Sequence, residues 1–243
     1  MTSSDSYWQK FLGIELYKVR YYSQWFLYKF FRIKLPKLGD QRDYWKDRGN
    51  VYMEEILKSG YLDREVFFQD MLVDQLKQLD FGSFFEAGSG FGWNVRRVQE
   101  EFPGVRVGGL DFSFSQLVNS KDYLKGFHVP VANGDNCCMP LVNDAFDVGF
   151  SLGVFMNIHT EKIRAALSEM VRVCGKYIIH LEYDEERTTS ELREKRAFKT
   201  NIVSHSYAKL YEEMGQEVIV LKTFKDFGEA YKDHAKEVMS DLD

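Results

Sequence analysis

The stretch Phe84-Phe85-Glu86-Ala87-Gly88-Ser89-Gly90-Phe91-Gly92 decides the fold of this chain. An apolar pair runs into an acid, then into three glycines spaced by two, and then into WNVRRVQEEF, whose periodicity predicts a helix over 92–102. A strand that ends in a glycine-rich turn and feeds a helix lets the backbone pass close to a ligand and take up positive φ. Taken alone, the glycines leave an ordinary turn as open as a nucleotide site.

Downstream, short apolar runs alternate with amphipathic segments. Strands are expected at 83–87, 105–110, 146–151, 177–182 and 217–224, and helices at 92–102, 115–124, 160–173 and 206–214. Strands separated by helices of this length form βαβ units, so the fold class is α/β, a doubly wound and mostly parallel sheet. The final KDFGEAYKDHAKEVMSDLD reads as helix, so no seventh strand is evident. Upstream, helices are expected at 43–58, before Gly60, and at 63–79. Trp8, Phe11, Leu12, Val19, Tyr22, Phe26, Phe30 and Ile33 fall at helical spacings within 7–35, and Pro36 and Gly39 break that pattern. The division is an N-terminal aromatic and basic segment (1–40), a helical cap (41–80) and the ligand-binding domain (81–243).

The chain has 243 residues, 44% hydrophobic and 28% charged, as in a soluble globular protein, with an unusually high 16% of aromatics. Its net charge of −5 disfavours nucleic acid as a partner. Residues 1–40 nevertheless carry seven basic against three acidic side chains, which sets the N-terminus apart. Cys137, Cys138 and Cys174 form neither a disulfide framework nor a zinc spacing. No apolar run is long enough to span a bilayer, and MTSSDSYWQK lacks a signal-peptide pattern, so a cytoplasmic location is expected.

The acids after the glycines narrow the ligand. The strand VRVGGL leads into Asp111, 25 residues after Glu86, where a carboxylate can accept hydrogen bonds from vicinal ribose hydroxyls. Gly134-Asp135-Asn136 then closes one strand and Phe146-Asp147-Val148 opens the next. A nicotinamide enzyme would favour GxGxxG, and a phosphate loop would need GK[ST] after its glycines; neither is present.

The ordered blocks FFEAGSGFG, GLDFS, NGDNCCMPLVNDAFDVGFS and GVFMNIHTEKIRAALSEMVRVCGKYIIHLE resemble those of class I S-adenosylmethionine (SAM) dependent methyltransferases, over roughly residues 80–182. The resemblance implies a Rossmann-like domain and SAM as cofactor. It implies that Glu86 organises the methionine end, that Gly88, Ser89 and Gly90 form the close-approach turn, and that Asp111 binds the ribose with Phe112 flanking the adenine. Asp135 would accept from the adenine amino group beside the backbone of Asn136, and Ser151 would face the transferable methyl. YWKDRG is loosely similar to segments preceding the core in bacterial methyltransferases of sugar and surface-glycan synthesis, which implies that Arg48 meets the cofactor carboxylate.

Methyl transfer to an alcohol needs a base. His159, before a helix near the ligand edge, and His205, opening a late helix, are the candidate catalytic residues; His180 reads as a core histidine with Glu182 on its face. Met156 and Asn157 stand where metal-dependent relatives carry acids, so no metal is expected. SLGV replaces the Asn-Pro-Pro-aromatic signature of nucleic-acid methyltransferases, so the expected acceptor is a small molecule, sugar or lipid-linked compound, methylated at oxygen. The aromatic and basic residues of 7–35 also suit a peripheral contact with the inner face of a membrane; packing on the domain, on a second subunit or over the substrate would use the same residues. A noncatalytic binding protein and an NAD-dependent oxidoreductase are the alternative functions.

Overall fold

A computed structural model describes residues 42–183 and 203–219, together with β1 (Lys10–Phe11), β2 (Ile14–Glu15) and Ser23, Phe26, Leu27, Lys29, Phe30 and Phe31. Strands β3 (Ser83–Ala87), β4 (Arg106–Asp111), β5 (Val131–Asn133), β6 (Phe146–Leu152) and β7 (Cys174–Leu181) form a sheet in the order β5-β4-β3-β6-β7, every pairing parallel. The chain starts at the centre, runs outward through β4 and β5, and crosses back to β6 and β7. The crossover point lies between β3 and β6, so a ligand crevice is expected outside their carboxyl ends.

Alternation along the strands divides the core between two faces. Phe84, Val107, Val148 and Phe150 pack with Leu72 and Leu76 of helix α2 (Tyr61–Leu76) and with Val95 and Val98 of α3 (Trp93–Glu101). Phe85, Ala87 and Leu110 pack on the other face with α5 (Ile163–Val173) and with Tyr207 and Tyr211 of α6 (Tyr207–Glu213). Helix α5 is held by one stripe, since Ile163, Ala166, Leu167, Met170 and Val173 are its buried residues. Phe84 and Phe85, at 0% and 1% exposure, each contribute about 1.5–3 kcal/mol of burial to opposite faces of the same strand. Glu86 shares the face of Phe84, which directs its carboxylate toward α2 and α3.

The amino ends of the strands are stapled by side chains. Asp147 Oδ2 accepts from the Gly82 N–H at 2.6 Å, Ser83 Oγ accepts from the Asp147 N–H at 2.9 Å, and Lys176 lies 3.6 Å from the same carboxylate. The Gly82 N–H holds the Asp147 carboxyl below its ordinary pKa.

Helix α1 (Arg42–Lys58) and α2 occur where helices are expected at 43–58 and 63–79, and α4 (Phe114–Tyr123) follows β4. Three boundaries differ from the sequence reading. Residues 155–157 form a 3-10 turn, so α5 begins at Ile163 and not at 160. Strands β1 and β2 pair antiparallel in place of the start of the expected 7–35 helix, so strand pairing overrides the helical spacing at Lys10–Phe11 and Ile14–Glu15. Residues 217–219 are not extended into a strand, while 220–224 and the expected C-terminal helix lie outside the described residues.

Candidate functional site

The glycine turn is set by backbone hydrogen bonds to β4. The N–H groups of Gly88 and Ser89 both donate to the Leu110 carbonyl, at 2.7 and 2.9 Å, and the Gly90 N–H donates to Asp111 Oδ2 at 2.9 Å. Gly88 has φ +77°, and a Cβ there would come within 2.5 Å of the Val154 methyls, so this position requires glycine for conformation and for space. Asp111 Oδ1 accepts from the Ser113 N–H at 2.8 Å. Both carboxylate oxygens therefore hold the turn, and each retains a lone pair for a further donor. Burial raises the Asp111 pKa against the two N–H groups that lower it.

Glu86 is 2% exposed. Its Oε1 accepts from Asn94 Nδ2 at 2.7 Å, and Asn94 is steadied by Gln69 of α2, whose Nε2 also donates to the Trp93 carbonyl at 3.0 Å. Glu86 Oε2 and the neighbouring Ser89 Oγ are buried without a hydrogen-bond partner among the described residues. Burial, opposed by Asn94 and reinforced by Asp111, pushes the Glu86 carboxyl up to about 8. Gln69 and Asn94 are supports that sequence reading missed, because they act through a pair of helices brought together only by the fold.

At the end of β5 the Asn133 amide and the Gly134 N–H both donate to the Asp111 carbonyl, at 2.9 and 3.1 Å, which joins the third acid to the second. Asp135 Oδ1 accepts from the Cys137 N–H at 2.9 Å in a local turn. Asn136 is buried and Phe112 half-buried. Thus Glu86, Asp111 and Asp135 stand at the carboxyl ends of three adjacent strands.

Helix α1 lies against this end. Ser113 Oγ donates to the Trp45 carbonyl at 3.4 Å, Asn119 Nδ2 donates to the Gly49 carbonyl at 3.0 Å, and Tyr52 sits 6.3 Å from the Phe91 ring in the glycine turn. The Arg48 backbone belongs to α1, while its side chain lies outside the described residues.

On the other side of the crossover, Ser151 is fully buried and in register with His180. Its Oγ donates to Glu182 Oε1 and meets His180 Nδ1, both at 2.7 Å, and His180 Nε2 meets the Tyr211 hydroxyl at 2.6 Å. Glu182 also accepts the N–H groups of Val154, Phe155 and Met156, at 2.9, 3.1 and 3.2 Å. Burial pushes His180 down to about 3, so it is neutral. His159 lies in the turn ahead of α5, where Nδ1 accepts from the Glu161 N–H at 3.3 Å. His205 is fully buried, and its Nε2 donates to the Ile158 carbonyl at 2.9 Å. Both candidate bases thus lie close to the segment after β6, His205 fully buried and the His159 side chain 12% exposed. Glu182 carried a signal that was available: it is a further acid at the carboxyl end of a strand. Among the described residues no cluster of three or more His, Cys, Asp or Glu is arranged to hold a metal ion.

Comparisons with known proteins bear on this geometry. Residues 84–176, less than half of the chain, match the model of the methyltransferase domain family. No curated protein matches the chain in sequence. A candidate sarcosine dimethylglycine methyltransferase from Galdieria sulphuraria superposes with a TM-score of 0.55 at 17% identity, over 62% of this chain and 61% of its own. A candidate methyltransferase from Bacillus halodurans gives 0.53 at 16% identity, over 69% and 80% of the two chains. A SAM-dependent methyltransferase from Thermotoga maritima gives 0.51 at 20% identity, over 72% and 80%. At these identities the likeness is one of fold, and the chain spans about three-fifths of the Galdieria protein. The open valences on Glu86 and Ser89, beside a turn without a phosphate-binding Lys, fit a cofactor that is cationic and carries no phosphate. Residues 84–176 are similar to the methyltransferase domain family and have a Rossmann-like fold, and the cofactor that this family implies is S-adenosyl-L-methionine.

Proposed function

We propose that the chain transfers a methyl group from SAM to a small-molecule, sugar or lipid-linked acceptor, at oxygen. The observation that carries this reading is the pair of orphaned buried groups, Glu86 Oε2 and Ser89 Oγ, at the turn where Asp111 arrives from the next strand. When bound, SAM supplies an electrophilic methyl on a sulfonium. Asp111 would hold the ribose hydroxyls, with Phe112 and Asn136 flanking the adenine, Asp135 accepting from its amino group, and Arg48 closing on the carboxylate. Glu86 would meet the ammonium through its free oxygen, and its raised pKa means that a cationic partner draws it into the ionised form. The protein's remaining task is alignment and exclusion of water, with α1 as cover. For the base we choose His159, the more exposed of the two candidates; its unprotonated Nδ1 would exchange the hydrogen bond from the Glu161 N–H for the acceptor's proton. The domain division stays as the sequence reading has it, with 81–243 as the SAM-binding unit.

Calorimetry with SAM, S-adenosylhomocysteine and NAD tests the cofactor: micromolar or tighter binding of both sulfur ligands is expected, and NAD binding in their place overturns the reading. Turnover of methyl-labelled SAM against hydroxylated and amino acceptors tests the oxygen target.

A second reading, a noncatalytic or membrane-anchored role for the N-terminus, is favoured by one observation. Phe26, Phe30 and Phe31 are 49%, 61% and 61% exposed, the Phe26 ring lies 4.7 and 6.2 Å from the other two, and Lys29 lies over Phe30. No helix among the described residues is long and apolar enough to cross a membrane, so such contact would be interfacial, on the inner face for a cytoplasmic protein. Sedimentation with anionic vesicles decides this: intact protein that stays in the supernatant rules it out.

A further inference from the structure

We propose that Glu182 is a positioning residue that locks the loop after β6 against the glycine turn, and that Tyr211, acting through His180 and Ser151, makes the lock depend on the docking of α6. The proposal rests on the methyltransferase reading only where it concerns cofactor affinity.

Three consecutive backbone N–H groups, those of Val154, Phe155 and Met156, converge on the Glu182 carboxylate. This is a nest of donors around an anion, with charge-assisted bonds stronger than those between neutral groups. The fourth donor, Ser151, fixes the order of the remaining protons. Its single hydroxyl proton goes to Glu182, which as a carboxylate only accepts, so His180 Nδ1–H must donate to Ser151 Oγ. His180 Nε2 is then an acceptor, and the Tyr211 hydroxyl donates to it. The chain runs from α6 through β7 and β6 to the loop, with each proton assigned. The rings surrounding it hold His180 in place: Tyr207 and Tyr211 stack at 5.5 and 5.6 Å, and Phe155 meets it edge-on at 5.0 Å.

The loop so held carries two contacts outward. The Val154 methyls occupy the space that a Gly88 side chain would need, so the position of Val154 limits where the glycine turn can sit. The Met156 carbonyl accepts from the Val203 N–H at 2.6 Å, which ties the same loop to the segment leading into α6. Releasing Glu182 would therefore loosen the cofactor turn from its far side, without removing any group that touches the cofactor.

The test is residue-resolved amide hydrogen exchange, paired with S-adenosylhomocysteine calorimetry, on the full chain and on Glu182→Gln, Tyr211→Phe and the double variant. Glu182→Gln turns an N–H toward one of the donors and is expected to speed exchange at Val154, Phe155 and Met156 by about tenfold or more, with Phe85 and Gly109 in the sheet unchanged. Affinity for S-adenosylhomocysteine should fall by about tenfold, as for loss of one charge-assisted bond. Tyr211→Phe, which removes one hydroxyl, should reproduce the pattern at about threefold and add nothing when combined with Glu182→Gln. Unchanged exchange at 154–156, equal acceleration across β3, or effects that multiply in the double variant would each overturn the lock. Should Glu182→Gln fail to fold, Tyr211→Phe decides by the same exchange criterion. Should the wild type bind no S-adenosylhomocysteine, the methyltransferase reading falls while the exchange result still decides the lock.

Discussion

The two sides of the crossover treat buried polar groups in opposite ways. On the β3–β4 side, Glu86 Oε2 and the Ser89 hydroxyl have no hydrogen-bond partner among the described residues. On the β6–β7 side, Glu182 is satisfied by four donors and the chain through Ser151 and His180 closes on Tyr211. A buried polar atom without a partner costs about 1–3 kcal/mol, so the first side carries an expense that a ligand would relieve, and the second does not. Open valences mark a binding surface; closed ones mark its support.

Substitutions can separate the two. The largest effect should come from Asp111→Ala, which removes the turn's anchor and the proposed ribose partner together: S-adenosylhomocysteine affinity should fall by about a hundredfold or more in calorimetry. Binding within about tenfold of wild type would show that the open side is not a ligand site. Next is Gly88→Ala, where left-handed backbone and contact with Val154 combine. It should lower the unfolding free energy in urea by about 2–4 kcal/mol, with partial recovery when Val154→Ala is added. Absence of recovery would mean that the two sides do not touch energetically.

Glu86→Gln probes the open valence by pH. The folded carboxyl keeps its proton up to about 8, whereas in the unfolded chain it is lost near the ordinary 4.5. Between these values the native state binds more protons, so stability of the apoprotein falls as pH rises, with a slope of at most about 1.4 kcal/mol per pH unit from this group. Burial raises Asp111 and Glu182 as well, and they contribute in the same direction. Melting curves from pH 5 to 8 should flatten in Glu86→Gln, and SAM binding by wild type at pH 7 should release protons that the variant does not release. Identical pH profiles would remove Glu86 from the site. The smallest structural effect belongs to His159→Ala, which removes one partly buried ring and one backbone hydrogen bond, so thermal stability should change by about 1 kcal/mol. If His159 is the base, methyl transfer drops far more than stability does; equal losses would assign it to the support.

The open side was the legible one. Its glycines, its acids and the strands ending at them are local in sequence, and β3 occurs at the expected 83–87. The closed side depends on register: Ser151 meets His180 only because β6 and β7 pair with an irregularity near Phe146, which no local pattern reveals. Glu182 stood in view beside His180, but its partners are backbone N–H groups 26–28 positions away, and backbone donors carry no residue signature. Gln69 and Asn94 were hidden for a related reason, since their meeting depends on how α2 and α3 cross the sheet.

The staple at the amino ends of β3 and β6, where Asp147 is bonded to the Gly82 and Ser83 positions, has a consequence for how such a molecule can change over time. It fastens the strands at the end remote from the crevice. Segments at the opposite rim can then be lengthened, shortened or exchanged while the strands stay aligned, much as pages bound along one edge turn freely at the other. Alterations at Asp147 or Ser83 should register as loss of fold, and alterations at the rim as change of chemistry.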